Sequence, residues 1–159
     1  MPDRFETAQM QTTACVEEYG SVFQPRLIRE RDFCIGAHVD ADDVLVLGDS
    51  HANRLFFGLR DTDPTHTYIN LGRGTCIPLL GFDASWSDTG EQLICQDTMQ
   101  SILQRAVKDQ VRTVVLHGFF VRAFNGGLRL TGTGDIAHQA RATLELLSKE
   151  IGRASCRER

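Results

Sequence analysis

The sequence predicts an α/β domain built around a parallel β-sheet. Three observations predict it: short apolar runs rich in β-branched residues, stretches of helical period between them, and Gly or Asp at the junctions. Runs such as VLVL (44–47) and TVVL (113–116) mark strands buried on both faces, as in a parallel sheet. Strands that alternate with helices join by right-handed crossovers, which keeps them parallel.

Residues 1–43 show no sustained period and contain mixed charge, Pro25, Cys15 and Cys34, so they read as an irregular lead-in with a short helix near 13–18. VLVL is the first strand and ends at Gly48. HANRLFFGL (51–59) sets Ala52, Leu55, Phe56 and Leu59 at helical spacing, and DTDP (61–64) stops that helix before HTYINL (66–71), a second strand. The Gly-, Pro- and Ser-rich segment 72–95 reads as a long loop, a length usually functional in compact domains. QDTMQSILQRAVKDQ (96–110) is an amphipathic helix through Met99, Ile102, Leu103, Ala106 and Val107, with Asp97 as a plausible N-cap. RTVVLHGFF (112–120) is the third strand, NGGLRLTGTGD (125–135) a turn-rich loop, and HQARATLELLSKE (138–150) a helix with Ala140, Leu144 and Leu147 on its stripe. Another strand should follow, because a three-strand sheet leaves its edges unpaired. The domain is therefore expected to be incomplete.

The length of 159 residues, 42% hydrophobic and 24% charged, fits one globular domain with its own core. Seventeen basic and 21 acidic residues give a net charge of −4, and the basic residues are scattered, which argues against a nucleic-acid or anionic-membrane surface. No apolar run approaches the ~18 residues of a membrane span, and the opening lacks a signal-peptide pattern. The last residues, 151–159 (IGRASCRER), resemble a translated sequencing adapter and are set aside from fold reasoning, which changes the net charge to −6 and removes Cys156. Four cysteines remain: Cys15, Cys34, Cys76 and Cys95. An even number fits two disulfides in an oxidising compartment, although three pairings are possible and buried thiols are the alternative. No ligand spacing for a metal is present, and neither metal nor other cofactor is expected.

Ser50 stands two residues past the first strand, at the start of a helix, where ligands bind in open α/β sheets. Gly48 permits a tight turn, and the helix N-terminus offers unpaired N–H groups that can hold an oxyanion, the Ser50 N–H among them. The alternative is that Asp49 and Ser50 are ordinary N-cap residues.

VLVLGDSHAN (44–53) resembles the first block of the SGNH (GDSL-like) hydrolases, in which a Gly-Asp-Ser turn carries the nucleophile. With FCIGAHVDADDVLVLGDSHA, GTCIPLLG, Cys95 and RTVVLHGFF in order over about 30–120, it is similar to the SGNH domain fused to membrane O-acyltransferases of the acyltransferase-3 family. The resemblance implies a flavodoxin-like three-layer parallel sheet, the SGNH hydrolase fold, truncated here: a lead-in at 1–43, a partial domain at 44–150 and the artefactual tail. It implies Ser50 as nucleophile and first oxyanion donor, Asp49 as a turn-fixing residue, and Gly74, or alternatively Gly72, as second donor. The third donor, an Asn after the third strand, has only Asn125 as a weak substitute for the family's GxND-like Asn. DIAH (135–138) matches the spacing of the DxxH dyad, so Asp135 and His138 are candidates for orienting acid and base. DxxH should, however, follow a further strand, which places the true dyad beyond the chain and Asp135 at a helix cap. A chain without its dyad is expected to be close to inactive.

His51 reads as a surface or supporting residue, His66 as a solvated loop residue, and His117 as open to lining a pocket. Trp86 could stack on a sugar or simply pack locally. Phe119, Phe120 and Phe124 read as core, with an acyl-pocket wall as the alternative. The resemblance further implies a periplasmic domain of a bacterial inner-membrane protein, or alternatively a secreted one. There Cys15–Cys34 and Cys76–Cys95 are plausible disulfides. It implies acyl transfer, most simply O-acetylation of a cell-surface polysaccharide, with an acyl donor and a carbohydrate acceptor as partners and a membrane acyltransferase domain upstream. A free-standing SGNH esterase and a non-catalytic carbohydrate-binding domain are the alternatives.

Overall fold

The computed structural model describes residues 10–23, 31–40, 42–132 and 134–157, with side chains to Ser148. Residues 1–9 and Pro25 of the lead-in lie outside the described residues, as does the Cys156 side chain. In chain order the elements are α1 (Thr13–Tyr19, followed by a 3-10 turn Gly20–Phe23), β1 (Asp32–Ile35), β2 (Val44–Gly48), α2 (Ser50–Thr62), β3 (Tyr68–Arg73), β4 (Phe82–Trp86), β5 (Gln92–Leu93), α3 (Gln96–Lys108), β6 (Thr113–His117), α4 (Phe120–Phe124), β7 (Leu128–Gly132) and α5 (Ile136–Arg157).

The main sheet has the order β1-β3-β2-β6. β2 lies in its interior, parallel to β3 on one side and β6 on the other, with Leu47 opposite both Leu71 and Leu116. The three strands read from the apolar runs are those three. Successive β2 side chains point to opposite faces. Val44 and Val46 pack with Ala52 and Phe56 of α2, whereas Leu45 and Leu47 join Met99, Ile102 and Leu103 of α3, Leu147 of α5 and Tyr19 of α1. Helices therefore cover both faces.

The architecture departs from an all-parallel sheet. β1 runs antiparallel to β3, and a separate antiparallel sheet has the order β5-β4-β7. The result is a mixed α/β fold that falls short of a full SGNH fold. The segments read as lead-in and loops contain these strands for physical reasons. Asp32 of DFCI is fully buried, and Arg73, its register partner on β3, offsets the cost by forming a bidentate ion pair with it, at 2.5 and 3.1 Å. FDASW and LRLTG alternate apolar and polar residues over five positions each, too short to stand out among Gly, Asp and Ser. The third strand ends at His117, since Phe120 already begins α4.

Cys15–Cys34 ties α1 to β1, and Cys76–Cys95 ties the segment after β3 to the start of α3; these are the pairs the resemblance implies. The cap of α3 is Asp83, not Asp97: its Oδ1 accepts from the Cys95 and Gln96 N–H groups at 2.8 and 2.9 Å. The last helix continues through the residues set aside as a tail, to Arg157. No helix among the described residues is long and apolar enough to cross a membrane.

Candidate active site

β3 and β6 flank β2 in the main sheet, so the connection after β2 runs to one side and the later connection from β3 to β6 crosses to the other, which makes the end of β2 a switch point, where a crevice opens beyond the strand ends. Backbone packing is closest there. Gly48 has φ +155°, and a Cβ on it would stand 1.7 Å from the His117 carbonyl oxygen; one on Gly72 would stand 1.9 Å from that of Gly48. Only glycine fits at these two positions, which locks the take-off of the next residues.

Asp49 follows, 4% exposed, and uses both carboxylate oxygens. Oδ1 accepts from the His51 N–H at 2.8 Å and caps α2, while Oδ2 accepts from the Phe119 N–H at 2.7 Å. It joins the start of α2 to the loop after β6. Ser50, at the first helical position, is exposed, and its N–H is among the donors a helix cannot pair internally. Behind it, buried Asn53 accepts a hydrogen bond from buried Asn70 of β3.

Ser50 opens into a cavity of about 370 Å³ lined by Asp49, His51, Arg54, Thr75, Trp86, Phe119, Arg122 and Leu128. The His51 ring stacks on Phe119 with centroids 4.5 Å apart, and its Nδ1 is 3.5 Å from Asp49 Oδ1, a contact too poorly aligned for a hydrogen bond. Arg122 lies over Trp86, 5.1 Å from the ring centroid. Thr75 has φ +73°, a strained conformation for a β-branched residue.

The other sequence-derived candidates are placed elsewhere. The Gly74 N–H donates to the Arg31 carbonyl at 2.7 Å, and Gly72 packs its backbone against Gly48. Asn125 ends α4, where its side chain accepts from the Gly127 N–H. Asp135 caps the start of α5 by accepting from the His138 N–H at 2.7 Å, and it lines an open groove with Phe82, Phe124 and Leu130 that meets the Ser50 cavity at Leu128. Neither Asp135 nor His138 is among the residues lining the Ser50 cavity. His66 is exposed and bonded to Asp63, whose carboxyl is held well below the usual range by hydrogen bonds from Thr65 and His66. His117 is exposed at the end of β6 and is not among the lining residues. Phe119 lines the cavity, Phe120 packs against Ile77, Leu79 and Phe82, and Phe124 is 70% exposed rather than core.

Sequence reasoning did not single out Thr75, Arg54 or Arg122. Arg54 had a legible signal, since it follows Ser50 by four residues and so shares its helix face. Thr75 and Arg122 come to the site through loops whose paths local sequence does not fix.

The sequence profile of a family described as the SGNH domain fused to AT3 domains matches residues 15–154. Comparison with curated proteins and with solved structures returns no match.

Proposed function

The chain belongs to the family of SGNH domains fused to AT3 domains, and from that membership we propose that it carries out serine-dependent acyl transfer, with Ser50 as the nucleophile. The observation that carries the reading is Ser50 itself: exposed, on the first turn of α2, at the switch point of the sheet, in a cavity wide enough for a small acyl group and part of a sugar.

The Ser50 Oγ attacks the carbonyl carbon of an acyl ester, most simply acetyl, and loses its proton to a base. The electron pair displaced onto the carbonyl oxygen is held by the Ser50 N–H. A second donor is the N–H of Thr75, because Gly74, the residue matched to the role, has committed its own to Arg31. Collapse expels the donor's alcohol or thiol, which takes the proton from the conjugate acid. A carbohydrate hydroxyl then attacks acyl-Ser50, gives its proton to the base, and leaves Ser50 free and reprotonated. The acceptor is a cell-surface polysaccharide on the periplasmic side, a placement supported by two disulfides that persist in an oxidising compartment. The acyl group reaches this domain from the membrane acyltransferase part to which domains of this family are fused.

The test is release of p-nitrophenol from p-nitrophenyl acetate, a donor activated enough to report acylation even with a poorly placed base. Ser50→Ala is expected to lower the protein-dependent rate by ~100-fold or more with an unchanged circular dichroism spectrum. An equal rate in the variant would remove Ser50 from the chemistry.

A further inference from the structure

We infer that the Ser50 cavity selects an anionic glycan, one bearing a carboxylate or phosphate, through Arg54 and Arg122. The inference rests on the acyl-transfer reading only for the identity of the bound group as an acceptor; the anion site stands on its own geometry.

Arg54 is on the same face of α2 as Ser50, and Arg122 of α4 lines the same cavity. Arg31, Arg60, Arg73, Arg105 and Arg112 each face a carboxylate within 4 Å, whereas Arg54 and Arg122, like Arg129 and Arg141, have no such partner among the described residues; of these four, only Arg54 and Arg122 line the Ser50 cavity. The acid of the cavity, Asp49, cannot serve them, because it is buried and both its oxygens are taken by backbone N–H groups. Arg122 is also held in place: its guanidinium lies 5.1 Å from the Trp86 centroid and 5.8 Å from that of Phe119. Stacking engages the face of a guanidinium and leaves its N–H edge to donate, the geometry that suits a planar carboxylate or a phosphate. Two cations without a protein counter-ion, in a concave site with the nucleophile position, fit a negative group on the ligand.

Isothermal titration of the chain with trigalacturonate, a neutral hexose trisaccharide, a hexose 6-phosphate and inorganic phosphate tests this. Trigalacturonate or the sugar phosphate is expected to bind at least ~10-fold more tightly than the neutral trisaccharide, and whichever is tighter identifies the anion. Arg54→Gln and Arg122→Gln are each expected to weaken the charged ligand about 10-fold and leave the neutral one unchanged, while Arg141→Gln, exposed on α5 and outside the cavity lining, changes neither. Equal affinity for charged and neutral sugars, equal losses in all three variants, or inorganic phosphate binding as tightly as the charged sugars would overturn the inference. Acetylation of Ser50 without charge selectivity would sink this inference alone. Charge selectivity without acetylation would sink the nucleophile reading and leave the anion site.

Discussion

Asp49 shows how much one side chain beside Ser50 can do. Its two oxygens hold the first turn of α2 and the loop that brings Phe119 over the cavity, two segments 70 residues apart in sequence. Asp49→Ala is expected to destabilise the fold by about 1–3 kcal/mol, from donors left unpaired, as measured by urea denaturation. The proton acceptor is decided at this scale too. His51 lines the cavity, and His138 carries the family's dyad spacing at the start of α5. Removing the base is expected to lower the acetylation rate of Ser50 by ~100-fold or more, so the p-nitrophenyl acetate assay on His51→Ala and His138→Ala tests each, and an unchanged rate in both variants assigns the role to neither. The Gly-Asp-Ser turn was legible because its chemistry and its backbone requirement lie in adjacent residues. The surroundings of Ser50 were less so: Thr75, Trp86 and Arg122 stand on three separate loops and short elements, and no local period records where such segments meet.

At the scale of elements, the strands that could be read were the ones buried on both faces, since continuous apolar runs announce themselves. β1, β4 and β7 are short and take their stability from partners distant in sequence. β1 shows the dependence most directly. Its Asp32 is 0% exposed, and Arg73 pairs with it and also donates to the Ile94 carbonyl at 2.7 Å, joining β1, β3 and the approach to α3. Arg73→Met would remove this bidentate cation from a buried carboxylate and is expected to cost about 3–5 kcal/mol. Adding Asp32→Asn is expected to restore part of that loss, and urea midpoints of the single and double variants measure it. If the single variant unfolds at the wild-type midpoint, the pair does not hold β1 in place.

For the whole molecule, two disulfides fasten separate elements to one shared core: one holds α1 to β1, the other holds the segment carrying Thr75 to α3. Each spans 19 residues, so removing one by paired Cys→Ser exchange is expected to cost about 3 kcal/mol. Loss of Cys76–Cys95 is expected to loosen the Ser50 cavity as well, seen as faster amide exchange at Thr75, whereas loss of Cys15–Cys34 leaves that exchange unchanged. The α/β class and the parallel core followed from pattern alone. The second sheet did not, because its strands pair only once the chain around them has folded. All of these features converge on Ser50. The most direct measurement is peptide mass mapping of the chain after brief exposure to p-nitrophenyl acetate: one acetyl group on the peptide containing Ser50, absent in Ser50→Ala, is the expected result. Acetyl groups on Lys108, Lys149 or the N-terminal amine with none on Ser50 would contradict it.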